Sequence, residues 1–133
     1  MRFITCLAAC AALTVTTPAF AQNADVGKRL FDQYCASCHG IEGKGDGAMA
    51  KFLNITPSDL TVLSAANDGQ YPMLKVIHII DGRTGVRGHG GDMPVFGEVF
   101  MEQGGHDAPY YTDVLATRGR VLSLATYLES IQE

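Results

Sequence analysis

The stretch that decides how this chain is read is Cys35-Ala36-Ser37-Cys38-His39. It has the form C-x-x-C-H, the pattern of covalent c-type haem attachment. The spacing follows from the chemistry. Each thiol adds across one haem vinyl group, so both sulfurs must reach the same edge of the macrocycle, and two intervening residues in a helical turn bring them there. His39 comes next, where its imidazole meets the iron from the proximal face. Other readings of a cysteine pair lead elsewhere. A structural zinc site needs four ligands and usually a second pair, and Cys6 and Cys10, the other cysteines, fall in an expected leader. A thioredoxin-type redox pair belongs in a βαβ context. Here a helical pattern precedes the motif and a glycine-rich one follows it.

Upstream of the motif, Val26, Leu30, Phe31 and Tyr34 recur at helical spacing. Asn23 is the expected cap of that helix, with Asp25 favourable in its first turn. Gly27 inside it costs about 1 kcal/mol relative to Ala, which is best explained by a second helix crossing closely at that point. The first 21 residues read as a secretory signal peptide. Arg2 supplies its charge, Phe3 to Val15 an apolar core, and Ala19-Phe20-Ala21 a small-x-small cleavage site. Cleavage leaves residues 22–133 as one domain. Leu7-Ala8-Ala9-Cys10 also resembles a lipobox, which would anchor the chain at Cys10, but nine preceding residues are too few for both regions of such a leader.

Downstream, Ile41 to Gly47 reads as a loop wrapped against a haem edge. Its glycines are not a phosphate cradle, because no strand precedes them and no Gly-Lys-Ser/Thr follows. Thr56 to Leu60 reads as a loop entering a short helix, with Thr56 or Ser58 as cap and Leu60 and Leu63 turned inward. Pro72 suits the first turn of another helix. Met73, Val76, Ile77 and Ile80 lie on one face of it, Gly82 ends it, and His78 falls on its outer side. A closing helix is expected from Thr117 or Arg118 to about Gln132, burying Val121, Leu124, Ala125, Leu128 and Ile131. No period-2 pattern occurs, so the fold class is all-α.

The chain has a formal net charge of −4, which becomes −5 once Arg2 leaves with the leader. An acidic surface argues against nucleic acid and favours a partner with a positive patch.

With these features in order, the chain resembles the class I cytochromes c, small single-haem electron carriers. Four features carry the resemblance: a leading helix with Gly27 and Phe31, the Cys35–His39 motif at its end, Gly91-Asp92-Met93-Pro94 downstream, and a closing helix with Tyr127-Leu128. The resemblance implies four to five helices around one covalent haem c, with the first and last crossing through Gly27, Phe31 and Tyr127. It implies Cys35 and Cys38 as attachment residues and His39 and Met93 as axial ligands, with His89 and His106 as the alternatives to Met93. It also implies a periplasmic one-electron carrier rather than an enzyme. Such a carrier is expected to be monomeric and to dock transiently on larger redox proteins near the haem edge, without a small-molecule substrate. Arg83, Arg87 or His89 is expected near a haem propionate. Two alternatives remain: a dedicated subunit of a periplasmic dehydrogenase or oxidase, and a haem enzyme or gas-binding protein with an open sixth site. The balance of charge departs from the lysine-rich mitochondrial type, so docking partners do not carry over from it.

Overall fold

A computed structural model of the chain describes residues 19–82, 93–103 and 109–133, with side chains from Ala24 onward. Arg83, Arg87, His89, Gly91, Asp92 and His106 lie outside the described residues, as does most of the expected leader. The described residues form five α-helices and no strand: α1 (Ala19–Tyr34), α2 (Ala36–His39), α3 (Met73–Asp81), α4 (Phe96–Glu102) and α5 (Tyr110–Ser130).

The fold is organised by α1 against α5. Phe31 is fully buried and its ring centroid lies 5.3 Å from that of Tyr127. A Cβ on Gly27 would overlap the Ser123 carbonyl oxygen and come within 2.7 Å of the Tyr127 Cβ. The helix propensity lost at Gly27 is therefore exchanged for a close approach that no other residue allows. The expected contact of Gly27, Phe31 and Tyr127 is present. The start of α1 differs from expectation. It begins at Ala19, ahead of Asn23, because Ala19-Phe20-Ala21-Gln22 contains nothing that stops a helix.

Around this pair, α3 buries Val76 and Ile80 while Met73 and Ile77 pack at the edge of the core, as their spacing predicts. Gly82 closes α3 in the left-handed conformation, its N–H donating to the His78 carbonyl at 3.0 Å. α4 buries Phe96 and Phe100 and is bound to α5 through Arg120. The Arg120 guanidinium donates to the Phe100 carbonyl at 3.0 Å and lies 5.9 Å from the Phe100 ring. A cation there also suits the partial negative charge at the end of α4.

Two boundaries correct the sequence reading. α5 starts at Tyr110, about two turns before Thr117; those turns carry no inward stripe for the sequence to show, because Tyr110, Tyr111 and Leu115 are exposed. The helix expected after Thr56 is absent. Residues 61–64 are turns, followed by a 3₁₀ turn over Ala65–Asn67. Asp59 does the capping expected of Thr56 or Ser58: its carboxylate accepts from the Thr61 N–H at 2.8 Å and from the Thr61 hydroxyl at 2.6 Å. Leu60 and Leu63 pack against the core as expected.

Candidate functional site

α1 delivers the motif. The Cys35 N–H donates to the Phe31 carbonyl at 2.8 Å, so the hydrogen-bond ladder passes almost unbroken into α2. A helix end leaves its carbonyls without partners, and here the following loop supplies them. The Gly40 N–H donates to Ala36 O at 2.9 Å, Met49 to Ser37 O at 2.9 Å, Gly47 to Cys38 O at 3.1 Å and Gly45 to His39 O at 2.7 Å. This gives the glycine-rich loop a different role from the one expected. Residues 41–47 are folded back onto α2 and do not line the cavity beside it; that wall is built by Leu53 and by Ile55 to Ser58.

The cavity has two adjoining lobes of about 180 Å³ each, which share Cys35, His39, Ser58, Met93 and Phe96. One lobe reaches the surface past Tyr34, Leu53, Ile55 and Pro94. The other runs inward against Phe31, Leu60, Val76, Ile79 and Leu124. The sequence-predicted residues Cys35, Cys38, His39 and Met93 thus lie together on one apolar chamber. The other described methionines lie elsewhere. Met49 is exposed, Met73 is at the core edge, and Met101 faces a separate surface hollow. His78 is exposed and away from the chamber.

The His39 ring is oriented by one bond. Its Nδ1 lies 2.9 Å from the Ser58 carbonyl oxygen. A carbonyl only accepts, so Nδ1 carries the proton and donates, which leaves the Nε2 lone pair free for a metal. A carbonyl that accepts from the far ring nitrogen fixes the tautomer and raises the basicity of a ligating imidazole. The sequence did not reveal Ser58 in this role, and no residue type reports it, because any backbone offers a carbonyl.

Burial pushes the Cys35 thiol up to about 12, and the neighbouring Cys38 adds to the shift. A charged thiolate is therefore disfavoured on this wall, whereas a neutral thioether is not. An apolar chamber, two thiols on its edge, an imidazole with Nε2 free and a methionine thioether together fit a covalently held haem. Zinc fits less well: among the described residues there is no group of three or more His, Cys, Asp or Glu side chains able to hold a metal.

Comparison with known proteins gives the same class. The cytochrome c family model matches residues 24–103, and the chain belongs to that family. The family carries covalent haem c. The matched region runs from α1 through α4; α5 lies beyond it. The chain is also similar to cytochrome c-554(547) of Halothiobacillus neapolitanus, with 39% identity over 56 residues, which is 41% of this chain and 62% of that protein. The chain thus spans less than two thirds of the length of that curated relative. No solved structure is significantly similar to it.

Proposed function

We propose that this chain is a one-electron carrier that works outside the cytoplasm, with Cys35 and Cys38 as the haem attachment residues and His39 and Met93 as the axial ligands. The observation that carries the reading is the His39 ring, held by Ser58 so that Nε2 is free, on the chamber that Met93 also lines. The bound haem supplies a ferric/ferrous couple that gains and loses one electron. The chain does the rest. Cys35 and Cys38 tether the group, so its position does not depend on affinity alone. His39 and Met93 would hold the iron, and the soft thioether would raise its potential. Phe31, Leu60, Val76 and Leu124 exclude water from the inner lobe, which keeps reorganisation small.

Export through the leader, cleaved after Ala21, and transient docking on larger redox proteins belong to the same proposal. No described helix is long and apolar enough to cross a membrane. The acidic balance of the chain favours a partner with a positive face. The cytochrome c-554(547) relative supports carriage over catalysis.

The test is to express the full chain with a haem-maturation system and compare it with Met93→Ala. A red product with a low-spin ferric spectrum is expected, with a mature chain starting at Gln22. Met93→Ala should lower the midpoint potential and let the ferrous form take up carbon monoxide. A colourless product overturns the assignment of Cys35 and Cys38. A Met93→Ala spectrum identical to the parent overturns Met93.

A further inference from the structure

We propose that Gln132 is a positioning residue for the His39 imidazole, acting through the segment that presents the Ser58 carbonyl. This rests on the reading of His39 as an iron ligand. Gln132 follows the end of α5, and its side-chain amide makes three bonds at once. Its Oε1 accepts from the Ser64 N–H at 2.8 Å. Its Nε2 donates to the Leu60 carbonyl at 2.8 Å and to the Leu128 carbonyl at 2.7 Å. The nitrogen of the amide is thus anchored on α5 at Leu128, and nitrogen and oxygen together span the turn from Leu60 to Ser64. Only a primary amide has an acceptor and two donors on one group of this size.

The turn it clamps continues directly into the ligand. Leu60 lies two residues after Ser58, whose carbonyl takes the His39 Nδ1 proton. The Leu60 N–H donates to the Gly43 carbonyl at 2.7 Å, which joins the turn to the loop capping α2. The neighbouring Glu133 N–H donates to the Thr61 carbonyl at 2.9 Å and adds a second tie between the same two segments. Without the Gln132 amide, the carbonyl of Leu60 and the N–H of Ser64 lose their partners, and the segment that presents the Ser58 carbonyl keeps only the backbone ties to Gly43 and Glu133. A weaker bond at Nδ1 makes the imidazole less basic, which favours the ferrous state.

The experiment uses the haem-loaded full chain and compares Gln132→Leu with Ser130→Ala. The control removes a bond of similar length within α5, Ser130 Oγ to the Tyr127 carbonyl at 2.7 Å, without touching the 58–64 segment. Two readouts follow the ligand: the midpoint potential, and solvent exchange of the His39 Nδ1 proton followed by NMR. Gln132→Leu should raise the potential and speed that exchange about tenfold, the effect of losing one to two net hydrogen bonds. Ser130→Ala should change neither. A Gln132→Leu protein that is less stable to urea but unchanged in both readouts overturns the proposal. Where that variant does not fold, the parent protein decides. Its Ser64 N–H and His39 Nδ1 proton should open with the same dependence on denaturant, and clearly different dependences overturn the proposal. Failure of the ligand reading is distinguishable, because the ferric parent would then lack the paramagnetically shifted His39 Nδ1 proton before any variant is made.

Discussion

The α1/α5 crossing and the loop from Gly40 to Ser64 both hold the cysteine motif, but by different physics. The crossing is steric. Its contacts are Gly27 against the Ser123 backbone and Phe31 against Tyr127, and it is specified by the side chain that is missing at Gly27. The loop is polar. It is held by N–H groups that cap α2, by Asp59 on Thr61 and by the Gln132 amide. The crossing sets where α1 delivers Cys35, and the loop sets how the His39 ring is turned. Damage to the first should therefore cost stability at constant potential, and damage to the second should move the potential at modest cost in stability.

The largest effect tests the steric side. Gly27→Val places a branched side chain into the Ser123 carbonyl and the Tyr127 Cβ, and neither backbone yields cheaply. The expected loss is about 3 kcal/mol, at the upper end for overpacking in a core, measured as a lowered urea midpoint of the haem-loaded protein. The potential of the fraction still folded should match the parent. A large shift in that potential would mean that the crossing also controls the ligands.

A pair of glycine variants tests the polar side. Gly45 and Gly69 share a left-handed backbone, with φ of +81° and +77°. Alanine at either carries the intrinsic cost of that conformation, about 1–2 kcal/mol. They differ in what surrounds them. A Cβ on Gly45 would overlap the Pro57 carbonyl oxygen, next to Ser58, whereas one on Gly69 meets nothing within 4 Å. Gly45→Ala should therefore add an upward shift of the potential to its loss of stability, and Gly69→Ala should show the loss of stability alone. Equal potentials in the two variants would mean that the Ser58 carbonyl does not govern the ligand.

The steric side was largely legible in the sequence and the polar side was not. Gly27 stood out because a glycine within a helical pattern asks for a neighbour, and the apolar stripes of α3 and of the later half of α5 announced their buried faces. α4 escaped because seven residues are too short for a period to register, although Phe96 and Phe100 are both buried. The first turns of α5 escaped because their large side chains point outward. Gln132 escaped for another reason. Gln132 bonds to backbone atoms 68 and 72 residues away, and such partners leave no local pattern. The four residues predicted for the site lay in the most local signals, a pentapeptide and a Met-Pro pair. The carbonyl that orients the histidine belongs to a serine whose own side chain is irrelevant to the task.

The smallest expected effect concerns Asp59, at the surface end of the polar side. Its carboxyl is held below the usual carboxylate range by the Thr61 hydroxyl, then by the Thr61 N–H, with Lys44 adding to the shift. A carboxyl with a lower pKa in the folded state stabilises the fold at neutral pH. That contribution disappears as pH falls through the folded value, starting near the ordinary aspartate pKa of about 3.9. Asp59→Asn keeps an oxygen able to accept from Thr61 but has no proton to gain. The parent should therefore lose slightly more stability than the variant between about pH 4 and the lowest pH at which the fold survives, as read from urea midpoints along a pH series. Parallel curves would mean that the charge on Asp59 contributes nothing, and that the turn before Ser64 is held by its neutral hydrogen bonds and by Gln132.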